Sequence, residues 1–285
     1  MRLGIFAKTF PRPTLEETLD AVRSHGFDCV QFNMACVGLP TLPELIDPGL
    51  CARIREAFAA QKIAIAAVSG TFNMIDPDPS KRRDGLARLP ALAHACKSFG
   101  APIITLCTGT RDPEDMWRRH PANDTPQAWQ DLVASMREAV RIAEDTDVTL
   151  AFEPEVANVV DSAKKGRRLL DKVASPRLKV VMDAANLFHR GDLQRQREVM
   201  REAFALLGTD IVLAHAKDSN HDGEAGHEAA GKGLLDYDYY LSLLRSNGFD
   251  GPLVLHGLNE TVVDECVAFL RKKLARASGK IPSSC

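Results

Sequence analysis

The stretch DVTLAFEPEVANVVDSAKKGRRLLDKVASPRLKVVMD, residues 147–183, holds one complete strand–helix–strand unit. Residues 148–152 and 178–182 are apolar runs of the length of a buried strand. Between them, Ser162 stands where a helix over residues 163–173 needs its capping side chain. Two buried strands joined by a helix predict a parallel βαβ unit.

The same unit recurs along the whole chain. Strand-like runs are predicted at residues 2–6, 29–33, 63–69, 102–107, 148–152, 178–182, 211–214 and 252–255. Several intervening helices end in a glycine just before the next strand, as at Gly26, Gly100 and Gly248, which is the expected left-handed cap. Eight βα units without an interrupting linker favour a closed (β/α)8 TIM barrel over residues 1–274, with residues 275–285 as a frayed tail.

The alternative architecture is an open, doubly wound sheet. Such a sheet needs a glycine-rich phosphate-binding turn after its first strand, and FAKTFP at residues 6–11 supplies none. The closed barrel is therefore the predicted fold class.

Composition narrows the classes of function. The chain has 285 residues, 45% of them apolar, and a net charge of −2, which gives no basic footprint for nucleic acid or an anionic membrane. Its apolar runs are shorter than the about 18 residues of a membrane span. Seven scattered cysteines without a CxxC pair argue against a disulfide framework or structural zinc. We expect a cytoplasmic protein with a small-molecule partner, and homo-oligomerisation stays open.

Side chains that can carry chemistry follow the last four predicted strands. Each of these strands is apolar, and the residue directly after it carries a carboxylate or an imidazole. These residues are Glu153, Asp183, His215 and His256. In a (β/α)8 barrel, the carboxyl ends of the strands converge on one mouth. This donor set suits one divalent metal ion such as Mn²⁺, Mg²⁺, Co²⁺ or Zn²⁺. A bound cation would also offset the free-energy cost of burying the carboxylates of Glu153 and Asp183.

Each of these residues has a plainer interpretation as well. Asp183 could cap the turn that follows it, and a single histidine after a strand is usually structural. Glu155, two residues beyond Glu153, could be a base beside the site or a loop charge. The coincidence over four consecutive strands favours the metal site.

The segments LAFEPE (150–155), VVMD (180–183), HAKD (215–218) and GKGLLDY (231–237) occur in an order and spacing that resemble the xylose-isomerase-like TIM-barrel superfamily of sugar isomerases and epimerases. The resemblance covers essentially residues 1–272. It implies one divalent metal held by Glu153, Asp183, His215 and the residue that ends strand eight, and a polyhydroxylated carbonyl substrate. Two positions depart from the family pattern. His256 stands where a proton-shuttling glutamate is usual, and Asn186 replaces the histidine of a frequent Asp-x-x-His motif.

We therefore expect a divalent-metal-dependent isomerase or epimerase that acts on a sugar or a related polyhydroxy carbonyl compound through an enediolate intermediate. Glu153 or Glu155 would remove the α-proton, and His256 would either return it or bind the metal. The alternative is a metal-dependent lyase of the inosose-dehydratase or 3-keto-glycoside type, because elimination begins with the same proton abstraction. Two further alternatives fit the sequence less well. An endonuclease-IV-like enzyme would need a basic DNA-facing surface, but this chain is slightly acidic. A non-catalytic sugar-binding barrel would have no need of the Glu–Asp–His set.

Further residues are candidates for substrate binding. Lys217 and Asp218 follow His215, although Asp218 could equally cap a turn, and Asn186 follows Asp183. Arg111 and Trp117 lie in the long loop 108–126, a candidate lid. There Arg111 could receive a phosphate or carboxylate, and Trp117 could either stack on a sugar face or anchor the loop.

Overall fold

The computed structural model describes residues 1–277, and over these residues eight parallel strands form a closed barrel. The barrel strands are β1 (Arg2–Phe6), β2 (Cys29–Phe32), β3 (Ala64–Ser69), β4 (Ile103–Cys107), β5 (Thr149–Glu153), β6 (Leu178–Asp183), β7 (Ile211–Asp218) and β9 (Pro252–Leu255). Successive barrel strands pair in parallel, and β1 pairs with both β2 and β9, which closes the barrel. The predicted (β/α)8 class is confirmed.

Eight α-helices surround the barrel within the same residues. They are α1 (Leu15–Ser24), α2 (Pro48–Gln61), α3 (Pro79–Phe99), α4 (Pro126–Thr146), α5 (Ala163–Val173), α6 (Gln196–Leu207), α7 (Tyr237–Ser246) and α8 (Val263–Ala277). The predicted start signals form real caps. The Thr14 hydroxyl accepts from the Glu17 backbone N–H at 3.2 Å, and the Ser162 hydroxyl accepts from the Lys165 N–H at 3.4 Å. Gly100 ends α3 with φ +81°, a conformation that favours glycine.

The last helix includes residues 275–277, which the sequence placed at the start of a frayed tail. The rest of that predicted tail, residues 278–285, lies outside the described residues. Within residues 1–277, no helix combines the length and the apolar character that crossing a membrane requires.

The strands alternate between two apolar cores. Ala151 and Val181 point into the barrel interior, where they pack in a cluster with Phe6, whereas Phe152 and Val180 belong to the larger core between strands and helices. This alternation is the period-two pattern of a strand that is buried on both faces. Because both faces are apolar, polar groups are concentrated at the carboxyl ends of the strands.

Strand β7 is longer than its predicted range of 211–214. Its last residues, Lys217 and Asp218, pair in antiparallel register with a two-residue strand, β8 (Glu228–Ala229). The hairpin between β7 and β8 comprises residues 219–227. Its residue Ala225 lines the cavity at the barrel mouth, so the extension of β7 adds a wall to that cavity.

Candidate metal centre and its cavity

Ligand atoms from three neighbouring strands, one of them within β7, converge at the barrel mouth. Asp183, His215 and His256 each offer a ligand atom, and these atoms lie within 4.8 Å of one another. Asp183 Oδ2, His215 Nδ1 and His256 Nδ1 are buried and have no hydrogen-bond partner among the described residues. A buried polar atom without a partner costs about 1–3 kcal/mol of stability. Carboxylate oxygen and imidazole nitrogen facing one another are the donor set of a divalent cation site, so these residues fit a metal ion.

The orientation of His215 is determined by a chain of side chains on the opposite side of the barrel. The Gln31 amide donates to Ser69 Oγ at 3.1 Å and to Thr105 Oγ1 at 2.9 Å. Its oxygen therefore faces His215 Nε2 at 2.9 Å and accepts a hydrogen bond from the Nε2–H group. With the proton on Nε2, the Nδ1 atom of His215 is left with a free lone pair. An outer partner of this kind is typical of a metal-binding histidine.

Two carboxylates stand beside His215 Nδ1. Glu153 Oε1 is 3.5 Å away and Asp183 Oδ2 is 3.8 Å away, both too long for a hydrogen bond. The other Asp183 oxygen accepts from the Ala185 N–H at 3.0 Å, so this residue caps its turn and still has one oxygen for the site. Burial raises the pKa of Asp183, and a bound cation would favour its ionised form.

His256 completes the group of three from the end of β9. Its ring stacks on Phe6, with centroids 4.3 Å apart and planes 16° apart, and it meets the His215 ring edge-on at 5.0 Å. Burial, followed by the positive charge of Lys217, lowers the pKa of His256 well below its ordinary value. The imidazole is therefore neutral near pH 7, which favours the role of metal ligand over that of proton donor.

Two further ionisable groups face the same point. Burial raises the pKa of Glu155 to about 7, and the nearby charge of Glu153 adds to this effect. Lys217 Nζ lies 3.6 Å from Asp183 Oδ2. Burial by itself would lower the pKa of Lys217, but Asp183 and the two glutamates outweigh it and raise that pKa. Lys217 is thus a buried ammonium, and Glu155 is a carboxyl group poised to exchange a proton near neutrality.

A cavity of about 550 Å³ opens above these groups. Its lining includes Glu153, Glu155, His215, Lys217 and His256 together with polar residues of β2, β3 and β4. Met116 and Trp117 of the long loop also line it, and Trp117 is half exposed. The loop that the sequence identified as a candidate lid therefore forms one wall of the cavity, and Trp117 is placed to contact a ligand.

Three of the predicted substrate-binding residues have structural partners elsewhere in the chain, and their contact with substrate stays a prediction. Arg111 donates to the Ile75 carbonyl at 2.8 Å and pairs with Asp131, which anchors the loop. The Asp218 carboxylate accepts from the backbone N–H groups of residues 219, 231 and 235, so the turn-capping alternative describes it. Asn186 donates to Glu153 Oε1 at 2.6 Å and accepts from the Gly226 N–H at 2.8 Å. It orients a site carboxylate.

The residues that orient the site were not predicted from the sequence. Gln31 is the single polar residue in the strand CVQF, and this was the available signal, because an amide inside an apolar run needs partners. Ser69 and Thr105 end or interrupt apolar strands in the same way. Phe6, read only as a strand residue, supports the ring of His256.

The chain matches a protein-family model and is similar to several solved structures. The model of the family described as xylose isomerase-like TIM barrel matches residues 19–273. Among solved structures, the chain is similar to a 3-keto-D-glucoside 4-epimerase from E. coli in its apo form, with a TM-score of 0.74 and 16% identity over 95% of this chain and 99% of that chain. It is similar to an L-ribulose 3-epimerase, with a TM-score of 0.75 and 17% identity over 100% and 99% of the two chains. It is also similar to an IOLI protein with a binding zinc atom, with a TM-score of 0.73 and 19% identity over the whole of both chains. At such identities the likeness establishes a shared fold.

Proposed function

We propose that this chain, which belongs to the xylose isomerase-like TIM barrel family, is a divalent-metal-dependent isomerase or epimerase of a sugar or a related polyhydroxy carbonyl compound. The observation that carries the proposal is the convergence of one ligand atom each from Asp183, His215 and His256. Asp183 Oδ2, His215 Nδ1 and His256 Nδ1 are also buried and have no hydrogen-bond partner within the described chain. The similar structures named as sugar epimerases, and the zinc-binding IOLI protein, agree with it.

Glu153, Asp183, His215 and His256 would hold the metal. Bound there, a divalent ion supplies Lewis-acid polarisation of a substrate carbonyl, which makes a neighbouring C–H more acidic. The protein's part is to present these ligands in one orientation, and Gln31 and Asn186 do so through His215 and Glu153.

Glu155 is the side chain best suited to take the proton. It lines the cavity, and its Oε1 accepts from the Asn158 amide at 3.1 Å, which fixes the orientation of the carboxyl group. A base whose pKa is about 7 is half ionised at neutral pH and can both accept and return a proton. Glu153, held by Asn186 beside His215, is assigned to metal binding.

Lys217 and Trp117 would bind the substrate. The Lys217 ammonium reaches the same carboxylates and can donate a hydrogen bond to a substrate oxygen, which stabilises negative charge that develops there. Trp117 also lines the cavity, and an aromatic ring is the kind of surface on which the C–H face of a sugar packs. A small-molecule carbohydrate is thus the partner we propose, and a cytoplasmic location is part of the same proposal.

The test is isotope exchange. Metal-loaded protein is incubated in D₂O with ketoses, aldoses, inososes and keto-glycosides, and deuterium incorporation is followed by mass spectrometry. We expect incorporation at a carbon next to a carbonyl in at least one compound, and its loss in Asp183→Asn. The matched control is Asp171→Asn on the exposed face of α5, which should exchange like the parent. If Asp183→Asn retains both metal and exchange, the site is misassigned.

One observation favours elimination as a second candidate. The neutral His256 occupies the place of the family's second glutamate, so the chain lacks the symmetrical carboxylate pair that would protonate the opposite face of the substrate. A lyase reaction needs no group that protonates the opposite face of the carbon. After proton abstraction the C–O bond to the β-substituent breaks, and the base that took the proton can return it to the departing oxygen. Product mass separates the two reactions, since an isomer keeps the mass of the substrate and elimination lowers it.

A further inference from the structure

The hairpin between β7 and β8 carries a second group of metal-binding side chains. His221, Glu224 and His227 are exposed, and one ligand atom of each lies within 4.8 Å of the other two. His221 Nε2 is 3.0 Å from Glu224 Oε1, and His227 Nδ1 is 3.3 Å from the same oxygen. The two imidazole rings form a tilted stack, with centroids 4.1 Å apart and planes 35° apart. This hairpin cluster is separate from the four strand-end residues of the barrel site.

Asn220 determines which nitrogen of each ring faces Glu224. Its Oδ1 lies 2.6 Å from His221 Nδ1 and 2.9 Å from His227 Nε2, so it accepts a hydrogen bond from an N–H group of each ring. Its own amide donates to Glu228 Oε1 at 2.6 Å, which holds the oxygen towards the histidines. The remaining nitrogens, His221 Nε2 and His227 Nδ1, then direct lone pairs towards a carboxylate oxygen. A weaker contact of His227 Nδ1 with the Ala225 carbonyl, at 3.3 Å, requires the other tautomer.

Three acceptors facing one another repel unless a metal ion or a proton lies between them. We propose that His221, Glu224 and His227 bind a divalent transition metal ion of the Zn²⁺ class. Ligands about 2.0–2.1 Å from a tetrahedral zinc are about 3.3–3.4 Å apart, and the observed separations from Glu224 Oε1 are 3.0 and 3.3 Å. Two imidazoles and one carboxylate suit zinc, nickel or copper better than magnesium, and a partner shared by both histidines is the usual outer contact of such a site.

A metal at the hairpin cluster would connect the two ends of the hairpin tip. Between His221 and His227 lie Ala225, which lines the barrel cavity, and Gly226, whose N–H donates to Asn186 Oδ1. Asn186 in turn holds Glu153. The ion would therefore restrain the wall of the cavity and, through Asn186, the position of Glu153. We assign it a positioning role.

The competing explanation is a simple ion pair, in which one protonated histidine donates to Glu224. The two explanations differ in metal binding. The experiment uses full-length, chelator-treated protein that carries Asp183→Asn. This substitution disables the barrel site, so the number of Zn²⁺ ions bound per chain reports the hairpin cluster whether or not the barrel site binds metal in the parent. Zn²⁺ is titrated in competition with a chromophoric chelator, and Co²⁺ is titrated with detection of its visible d–d bands.

In this background we expect one equivalent of Zn²⁺ per chain and a tetrahedral Co²⁺ spectrum. His221→Ala and His227→Ala should each abolish both signals, and Asn220→Ala should weaken binding about 10–100-fold. The matched control is His94→Ala, an exposed histidine of α3, which should bind like its parent. Far-ultraviolet circular dichroism checks that each variant is folded.

Two results would overturn the proposal. One is a folded Asp183→Asn protein that binds no Zn²⁺. The other is His221→Ala and His227→Ala variants that bind as much Zn²⁺, as tightly, as their parent. If Asp183→Asn does not fold, the same histidine variants are compared in the wild-type chain. The expected result there is the loss of one equivalent relative to His94→Ala, and an unchanged count contradicts the assignment.

Discussion

Replacing Gln31 with leucine tests whether the barrel holds His215 in the orientation needed to bind a metal. Gln31 Oε1 accepts from His215 Nε2 at 2.9 Å, so leucine leaves that N–H without its acceptor and lets the ring change tautomer. An unpaired buried donor costs about 1–3 kcal/mol in the free energy of unfolding. Loss of the outer partner of a metal-binding histidine lowers metal affinity about 10–100-fold. That range corresponds to about 1.4–2.8 kcal/mol of binding free energy.

The assay is Zn²⁺ titration against a chromophoric chelator, in a His221→Ala background so that only the barrel site is counted. Nitrogen-15 NMR of the metal-free protein reports the tautomer of His215 independently. Gln31→Glu keeps an acceptor for His215 Nε2 and should retain metal affinity even though it buries a new charge. Gln127→Leu on the exposed surface of α4 is the matched control. A folded Gln31→Leu variant with unchanged zinc affinity and an unchanged tautomer would refute the reasoning.

Three further predictions concern the cavity and its surroundings. Because the folded-state pKa of Glu155 is raised from 4.5 to about 7, the metal-free native state binds more protons than the unfolded state between those values, and stability falls as pH rises through that window. Glu155→Gln should therefore be more stable than the parent by about 3 kcal/mol above pH 7, and this difference should vanish below about pH 4.5. Stability is measured by urea denaturation, and a difference between variant and parent that does not change with pH would contradict the prediction. Trp117→Ala should raise KM for the substrate with a smaller effect on kcat and leave stability within about 0.5 kcal/mol, whereas Leu45→Ala, at a second exposed apolar residue, should change neither kinetic constant. Asp218→Ala should lower the free energy of unfolding by about 2 kcal/mol or more, because three backbone N–H groups lose their acceptor. Zn²⁺ affinity, measured in parallel, should stay within twofold of the parent. Equal stability of variant and parent would show that the carboxylate is dispensable.

The architecture, and the proximity of three strand-end candidates, could be predicted because their signals are local. Apolar runs of strand length, helix caps such as Ser162 and glycine endings such as Gly100 each depend on a few neighbouring residues. Once the barrel is inferred, its geometry brings the strand ends together, so Asp183, His215 and His256 meet as predicted. Their role as metal ligands stays a prediction until metal binding is measured.

The partners of individual side chains could not be predicted in the same way. Asp218, Asn186 and Arg111 looked free for substrate because each follows a strand or lies in a loop. In the structure, Asp218 accepts from backbone N–H groups and Asn186 donates to Glu153. Arg111 pairs with Asp131, which anchors its loop. The hairpin cluster was missed for the same reason, since its three ligands acquire a common orientation only through Asn220 and the pairing of β7 with β8.

The order of the βα units and the residues at their ends follow from local sequence, because periodicity, caps and turn residues act over a few positions. Which atoms of those residues are left without a hydrogen-bond partner depends on how distant segments pack. His215 and Gln31 are 184 positions apart, and the closure of the barrel alone brings that amide to Nε2 and leaves Nδ1 facing Glu153 and Asp183. A hydrogen bond between distant segments depends on the packed fold, and no local pattern encodes it.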